Sequence, residues 1–176
     1  MIILKTERLI LRNVELKDAV EMKDYRNNAI CSKYQRGQTK DMDGIKALIK
    51  KYQFEILSAD KPFIMTVALK ATDEMIGEIV VLPNKGTFSL GYTISYKHHR
   101  MGYAFESLSA LTDYLHCLYP LMGFICSTEI ENYPSRLLLQ KLGFRDLGYI
   151  ESKESEVFGK WLTESTEKEI RLAVNH

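Results

Sequence analysis

The sequence predicts a mixed α/β fold, built on a sheet that is antiparallel in its first half and flanked by helices. Three strand-like runs follow one another between residues 62 and 95, separated only by short turns. Loops this short favour antiparallel pairing. Apolar residues at helical spacing precede these runs, and after residue 100 the apolar period changes between helix and strand several times. The expected order is one strand, two helices, three strands, and then helix, strand, helix and two strands.

The first half of the chain is expected to begin with a strand. The stretch "MIILKTERLILR" is interrupted by charge and lacks the features of a signal peptide, and "TERLILRNV" alternates as a strand does. Two helices are expected in "LKDAVEMKDYRNNA" and in "DMDGIKALIKKYQFEILSA", where the apolar positions include Ile45, Leu48, Ile49, Tyr52 and Ile56. The polar loop "SKYQRGQTK" separates them. The three strands are then "PFIMTVALK", "MIGEIVVL" and "TFSLGYTIS".

The second half is expected to open with a helix over 103–118, because apolar residues fall on one stripe and Pro120 follows. "GFICSTEI" predicts a strand, and the strand at 88–95 should be its parallel neighbour in a βαβ unit. "NYPSRLLLQKLG" predicts a helix with Asn132 as its N-cap and Gly143 as its stop. "FRDLGYIES" and "EKEIRLAV" are expected to close the chain as strands.

Composition excludes several classes of protein. The chain has 176 residues, which indicates one domain over 1–176, and its hydrophobic fraction of 45% is ordinary for a soluble globular protein. A net charge of +1 gives no electrostatic footprint for nucleic acid, and no apolar run approaches the roughly 18 residues of a membrane span. The three cysteines, Cys31, Cys117 and Cys126, have no metal spacing. We therefore expect reduced thiols and a cytoplasmic location.

A candidate phosphate site follows "TFSLGYTIS", the third of the three consecutive strands. In "HHRMGYAFE", Gly102 stands where a strand turns into a helix. The first N–H groups of a helix lack intrahelical partners and attract anions, and glycine permits both a positive φ and close approach of a ligand. A plain turn would also use a glycine here. A dinucleotide site would need G-x-G-x-x-G after the first strand of a parallel sheet, and the sequence lacks it.

A second group of residues follows one strand later, in "STEIENYPSRLLLQKLGF". With this group the chain resembles the GNAT-type N-acetyltransferases, in the branch that includes the bacterial ribosomal-protein N-terminal (alanine/serine) acetyltransferases. The resemblance extends over nearly the whole chain, from "TERLILR" through "MIGEIVV" and "LGYTIS". "HRMGYAFESL" is similar to the pyrophosphate loop of that family, and "ENYPSRLLLQKLGF" to its Asn-x-x-Ser helix.

The resemblance implies a three-layer fold with a six- to seven-stranded, mostly antiparallel mixed sheet and about four helices. It implies that acetyl-CoA is the cosubstrate and binds between the strands at 88–95 and 123–129, with no metal. The implied acetyl-CoA-binding residues are Tyr92, Thr93, Ile94, His99, Arg100, Met101, Gly102, Tyr103, Ala104, Asn132 and Ser135. By analogy, backbone N–H groups around Ile94 would stabilise the oxyanion, and Ser135 would donate a hydrogen bond to the departing sulfur.

The chain departs from the family pattern in three places. His99 stands where the family has Gln or Arg, and Arg100 stands where it commonly has glycine. A positive φ at Arg100 would be strained, although its side chain could contact a phosphate. Many relatives place a tyrosine seven residues after the asparagine as an acid for the thiolate, and this chain has Leu139 there. Tyr133, which directly follows Asn132, does not have the spacing needed to replace that tyrosine.

The general base is left open by the sequence. Glu78 is the leading catalytic candidate, because an acid among apolar residues is unusual, although it could equally face solvent on an edge strand. For Glu106 we expect a structural role in the first turn of a helix, and Glu129 fits the end of a strand. His98 and His99 are expected to be solvated rather than to act as bases, and Trp161 is expected in the core or an interface.

The acceptor is predicted to be a primary amine. An α-amine has a pKa near 7.7–8.0 and a lysine near 10.4, so neutralising them at pH 7 costs about 1 and about 4.6 kcal/mol. A site without an evident strong base therefore favours a protein or peptide N-terminus, while small amines, polyamines and amino sugars stay open. A CoA-binding sensor without catalysis is an alternative, and a nucleotide-binding regulator lacks a Walker lysine. We expect a monomer or a homodimer, with acceptor specificity in the early helices and the 150–166 loop.

Overall fold

The computed structural model describes residues 1–174. Its strands are β1 (Ile2–Lys5), β2 (Leu9–Asn13), β3 (Phe63–Leu69), β4 (Met75–Asn84), β5 (Thr87–Ile94), β6 (Gly123–Thr128), β7 (Arg145–Ile150) and β8 (Ser155–Lys160). Its helices are α1 (Ala19–Asn27), α2 (Ala29–Ser32), α3 (Met42–Tyr52), α4 (Tyr103–Leu118), α5 (Tyr133–Lys141) and α6 (Glu164–Val174). Single 3₁₀ turns lie at Leu16–Asp18, Tyr96–His98 and Glu151–Lys153.

The strands form one mixed sheet in the order β1-β2-β3-β4-β5-β6-β8-β7. β5 and β6 run parallel, with Thr87 opposite Gly123 and Ser89 opposite Ile125. The pairs β1–β2, β2–β3, β6–β8 and β7–β8 are antiparallel. The mixed α/β class and the parallel βαβ unit are therefore confirmed. The described chain has eight strands and six helices, rather than the six or seven strands and about four helices expected.

The first compact unit contains residues 1–57, 63–80 and 92–107. Its core is an apolar cluster in which α1 and α3 pack on the sheet residues. The fully buried members include Val14, Met22, Tyr25, Ile45 and Ile49. Helix α3 ends at Tyr52, so Ile56 lies beyond it and is exposed.

The second compact unit contains residues 58–62, 81–91 and, among the described residues, 108–174. In its core, Ile125 of β6 and Val157 of β8 pack against Ile170 and Val174 of α6. Trp161 packs against this cluster, as expected for a core residue. No helix within residues 1–174 is both long and apolar enough to span a membrane.

The N-terminal segment holds two antiparallel strands, where the sequence predicted one. The chain turns between them because Thr6 closes the bend: its N–H donates to the Leu9 carbonyl at 2.9 Å, and its Oγ1 accepts from the Leu9 N–H at 2.9 Å. The side-chain hydroxyl thus provides a local alternative to the ladder, and "TERL" forms a turn between β1 and β2.

The C-terminal prediction was wrong in two respects. The segment "EKEIRLAV" forms part of helix α6, not a strand. Ile170 and Val174, four residues apart, are buried, while Leu172 between them is 47% exposed, which is a helical period. The 150–166 segment, expected to be a loop, contains β8, which lies between β6 and β7 in the sheet.

Candidate active site

The loop between β5 and α4 has the backbone geometry that an anion-binding turn needs. Gly102, immediately before α4, has φ +80°, and Arg100 has φ +62°. Gly102 uses the positive φ that glycine permits, and Arg100 adopts the left-handed conformation in spite of its side chain. Such positions turn backbone N–H groups toward one side and form anion-binding concavities. Met101, between them, is exposed, and so is Arg100.

The carboxyl end of β5 is held by side chains from the segment that follows α1. Cys31 Sγ donates to the Ile94 carbonyl at 3.5 Å, and Gln35 Nε2 donates to the Tyr92 carbonyl at 3.2 Å. His99 Nε2 also bonds the Ile94 carbonyl, at 2.8 Å. Because a carbonyl only accepts, Nε2 must carry the proton. His99 is exposed, as expected of a solvated histidine, and its ring is in addition hydrogen-bonded to the end of β5.

Glu78 is a buried member of an ion pair. Its side chain is 1% exposed, and β4 lies between β3 and β5, so a solvent face on an edge strand is excluded. Arg26 Nε donates to Glu78 Oε1 at 3.0 Å, and Arg26 Nη2 donates to Oε2 at 2.6 Å. Gln38 Nε2 donates to Oε1 at 3.1 Å and lies 3.4 Å from Thr93 Oγ1. Glu78 is thus tied to α1, to the loop before α3 and to β5.

Tyr25 completes this buried group. Burial raises the pKa of its hydroxyl well above the usual value, and the negative charge of Glu78 adds to the rise. The hydroxyl makes no hydrogen bond of good geometry among the described residues. Tyr25 therefore stays a neutral phenol beside the Arg26–Glu78 pair at physiological pH.

Gly77 explains how Glu78 comes so close to β5. A Cβ at Gly77 would lie 2.3 Å from the Thr93 carbonyl oxygen and 3.0 Å from the Ile94 Cα. No side chain fits at that distance, so β4 approaches the end of β5 only because residue 77 is glycine. In "IGE", Gly77 therefore permits the close contact between the strands, and Glu78, the next residue, is the buried carboxylate.

Glu106 has the structural role that its position predicted. Its carboxylate accepts from Thr6 Oγ1 at 2.5 Å, from the Arg8 N–H at 2.8 Å and from Arg8 Nε at 2.6 Å. Burial acts to raise the pKa of Glu106, but the hydrogen bonds from Thr6 and Arg8 and the Arg8 charge outweigh it, so the pKa lies below its usual value. The carboxylate fastens the first turn of α4 to the β1–β2 turn.

Asn132 and Ser135 lie in the second compact unit, at the start of α5. Asn132 is the N-cap of this helix, as predicted, and its Oδ1 accepts from the Ser135 N–H at 3.4 Å. Its Nδ2 has no acceptor within residues 1–174, so that donor is available to a ligand. Ser135 is half-buried, and Gly143 has φ +83° just after the helix, as expected of a stop.

The other candidate residues of the second unit are Leu139, Tyr133 and Glu129. Leu139 is 1% exposed, so the side chain at the position of the family tyrosine lies in the core. Tyr133 is 62% exposed, with the Arg136 guanidinium 5.7 Å from its ring centre. Glu129 directly follows β6, as expected. The residues 1–174 contain no cluster of His, Cys, Asp or Glu that could hold a metal ion, and all three cysteines are free.

Three residues of this region were missed by the sequence reasoning. Arg26 follows Met22 and Tyr25 on the buried face of α1, and an arginine on an apolar helical face signals a buried acidic partner. Arg8 stands in the quoted "TERLILR" motif without an assigned role. Gln38 lies in a polar loop, where no periodicity distinguishes it from its neighbours.

The sequence comparisons agree with this geometry. Residues 8–145 match the acetyltransferase (GNAT) domain. The Bacillus subtilis (strain 168) protein named uncharacterized N-acetyltransferase YnaD is 28% identical over 146 residues, which is 82% of this chain and 83% of that protein.

Solved structures share the fold. A GNAT-family acetyltransferase from Bacillus anthracis superposes with a TM-score of 0.76 at 23% identity, covering 90% of this chain and 96% of that one. RimL, a ribosomal L7/L12 alpha-N-protein acetyltransferase in complex with coenzyme A, superposes with a TM-score of 0.79 at 13% identity, covering 94% of this chain and 99% of RimL. At these identities the superpositions establish the fold alone, whereas the domain match covers most of the chain. The protein therefore belongs to the GNAT acetyltransferase family.

Proposed function

We propose that this protein transfers the acetyl group of acetyl-CoA to a primary amine, and that the preferred amine is a protein or peptide N-terminus. The observation that carries the proposal is the loop before α4 in a GNAT chain, where Arg100 and Gly102 both have positive φ. A helix N-terminus preceded by such a turn suits a diphosphate. The RimL neighbour, described in complex with coenzyme A, supports the choice of ligand.

Each residue of the proposed site has a separate role in binding acetyl-CoA or in transferring the acetyl group. The backbone of residues 99–104 binds the diphosphate, and Arg100 adds a charge-assisted contact. Tyr92, Thr93 and Ile94 line the pantetheine arm, and Asn132 offers it the Nδ2 donor. The neutral amine attacks the thioester carbonyl carbon, and the N–H group of Ile94 stabilises the oxyanion. The C–S bond then breaks, Ser135 donates a hydrogen bond to the thiolate, and the nitrogen loses its proton to solvent.

Glu78 is proposed to orient the amine rather than to take its proton alone. A carboxylate has about four lone-pair positions, and Arg26 and Gln38 occupy three of those on Glu78. Because Glu78 is 1% exposed and the Tyr25 hydroxyl lies against it, its effect on the amine passes through Gln38 and the end of β5. A group held this firmly suits positioning, and the chemistry then depends on an amine that is already neutral.

The preference for an α-amine follows from that dependence. Neutralising an α-amine at pH 7 costs about 1 kcal/mol, against about 4.6 kcal/mol for a lysine. The RimL neighbour is described as an alpha-N-protein acetyltransferase, which is in line with this preference. Polyamines and amino sugars are the alternative acceptors.

A catalytically silent CoA sensor is the second candidate, and the burial of Leu139 in place of an acidic tyrosine favours it. One experiment separates the two. Purified protein is incubated with acetyl-CoA and a panel of peptides, polyamines and amino sugars, thiol release is followed, and products are identified by mass. Acetylated amine with stoichiometric thiol supports the enzyme. Calorimetric binding of CoA without any product would establish the sensor. The cytoplasmic location, the oligomeric state and the single domain stay predictions from the sequence.

A further inference from the structure

We propose that Arg8, in the β1–β2 turn, is the positioning residue of the phosphate-binding loop. The inference rests on the proposed function, because it concerns how the loop before α4 is held ready for the diphosphate of CoA. Arg8 lies far from this loop in sequence, and no role was assigned to it from the motif in which it occurs.

The Arg8 guanidinium contacts the loop on both sides of Gly102. Nη1 donates to the Met101 carbonyl at 2.9 Å. Nη2 lies 3.4 Å from the point where a Cβ on Gly102 would stand. The plane of the group covers the Tyr103 ring, with 4.5 Å between Cζ and the ring centre. Arg8 thus contacts Met101 and Tyr103, the residues on either side of Gly102, at the start of α4.

The opposite edge of Arg8 is fixed to the helix that the loop precedes. Arg8 Nε donates to Glu106 Oε2 at 2.6 Å, and the Arg8 N–H donates to Glu106 Oε1 at 2.8 Å. Thr6 Oγ1 donates to the same Oε1. The Glu106 N–H in turn donates to the Gly102 carbonyl at 3.0 Å. The first turn of α4, the loop and the β1–β2 turn therefore form one closed set of hydrogen bonds.

This set of bonds decides where one N–H group points. In a trans peptide the carbonyl oxygen and the following N–H project in opposite directions. Because Arg8 holds the Met101 carbonyl on its own side, the Gly102 N–H must face the other way. That direction is open to a ligand, since Gly102 is exposed. Arg8 thereby aims a backbone donor of the loop without contacting the phosphate itself.

The loop needs such a support because its backbone is strained. Arg100 has φ +62°, a conformation that costs a non-glycine residue energy and persists only when the surroundings fix it. Lysine at position 8 would keep the charge but lose the planar fork and the stacking surface. We therefore expect that a positive charge at position 8 is not by itself sufficient to support the loop before α4.

The test compares Arg8→Lys with the wild type by calorimetric titration of CoA and of dephospho-CoA. Loss of the fork should weaken both by the same factor, about tenfold, since the diphosphate is common to both. The KM for acetyl-CoA should rise by a similar factor, while kcat at saturating acetyl-CoA stays within about twofold. Glu106→Gln, which loosens the anchor of Arg8, should weaken CoA binding in the same direction. Arg171→Lys is the control, because Arg171 pairs with Glu167 on α6 at 60% exposure and should leave CoA affinity unchanged.

Three results would overturn the proposal. One is unchanged CoA affinity in a folded Arg8→Lys protein, even with a lowered melting temperature, which would make Arg8 a purely structural residue. Another is a loss for CoA that dephospho-CoA does not share, which would assign Arg8 to the 3′-phosphate. A third is a fall in kcat at constant KM. If the wild type binds neither compound, the proposed function fails along with this inference, whereas the three results above contradict the role of Arg8 alone.

Discussion

Gly102 and Arg100 are the single residues on which the proposed cofactor loop depends most. Both have positive φ, which costs energy for the arginine at position 100 but not for the glycine at position 102. The sequence indicated that Gly102 lies at the turn between strand and helix. It also indicated that a positive φ at Arg100 would be strained. This arginine does adopt it, and Arg8, itself paired with Glu106, bonds the carbonyl of the next residue in the chain, Met101.

Gly102→Val should weaken acetyl-CoA binding by about 1–3 kcal/mol, because a β-branched residue resists a positive φ and crowds the diphosphate. Calorimetric titration measures the loss. Gly143→Val is a matched control, since Gly143 has φ +83° and nothing lies within 4 Å of its missing Cβ. Both variants should melt earlier than the wild type, but only Gly102→Val should lose affinity. Equal affinity in all three proteins would leave the loop as a plain turn.

Ser135→Ala should lower turnover about tenfold with acetyl-CoA affinity nearly unchanged, if the hydroxyl assists departure of the thiolate. The helix cap survives the change, because the bond to Asn132 uses the Ser135 backbone N–H. Steady-state kinetics with a good acceptor, under conditions where chemistry limits the rate, provides the measurement. Ser109→Ala, another half-buried helical serine, serves as the control. Turnover equal to that of the wild type would give Ser135 a structural role only.

Helix α6 and the β1–β2 turn were both misassigned from the sequence, for related reasons. In "EKEIRLAV" the apolar residues 170, 172 and 174 alternate, so a strand and a helix fit equally well until burial is known. Leu172 is exposed and the helical pair Ile170–Val174 is buried. In "TERL" the reversal depends on a Thr6 side chain that bonds the backbone, which periodicity cannot reveal. By contrast, α4 was placed correctly, because many apolar positions agree on one period, while α3 was recognised but ends at Tyr52, before the predicted Ile56.

The two assignments of residues 164–174 differ in their consequences for stability. In a strand, Ile170 and Leu172 would share a face and respond alike to truncation. In α6, Ile170 is 0% exposed and Leu172 is 47% exposed. We therefore expect Ile170→Ala to cost about 2–5 kcal/mol of unfolding free energy and Leu172→Ala to cost about 0.5 kcal/mol or less. Urea denaturation measures both, and similar losses would support the strand.

The link between α4 and the β1–β2 turn should depend on pH through Glu106. Its pKa lies below the usual 4.5 in the folded protein. A depressed carboxyl pKa stabilises the fold fully above 4.5, and this contribution is lost as the pH falls through the folded value. Glu106→Gln should therefore melt earlier than the wild type at pH 7, and the difference should shrink below about pH 4.5. Melting temperatures of both proteins across that range test it, and a difference that stays constant with pH would contradict it.

Across the whole chain, the sequence predicted the fold class and the family well. It did not predict which charged side chains pair with each other in space. The order of elements, the βαβ unit and the family motifs are local signals that survive in a single sequence. The Arg26–Glu78 pair and the Arg8–Glu106 pair join residues 52 and 98 positions apart, so no local pattern encodes them. The same limit explains why Glu78 was placed at a solvent-facing edge as readily as at a catalytic centre. Its neighbours in space come from α1 and from a loop.

The proposed reaction is acetylation of a neutral amine, with an α-amine preferred to a lysine. The most direct test uses two matched peptides, one with a free N-terminus and no lysine, the other with a blocked N-terminus and one internal lysine. Initial rates of thiol release and product masses are measured from pH 6 to pH 10 for the wild type and for Glu78→Gln.

We expect the free N-terminus to be acetylated faster at pH 7, and log(kcat/KM) for that peptide to rise with a slope near one until about pH 8 and then to level off. The Glu78→Gln protein should keep this profile at a reduced rate, because the titrating group is the substrate and Glu78 only positions it. Faster acetylation of the internal lysine at pH 7, or polyamines and amino sugars that outpace both peptides, would contradict the account.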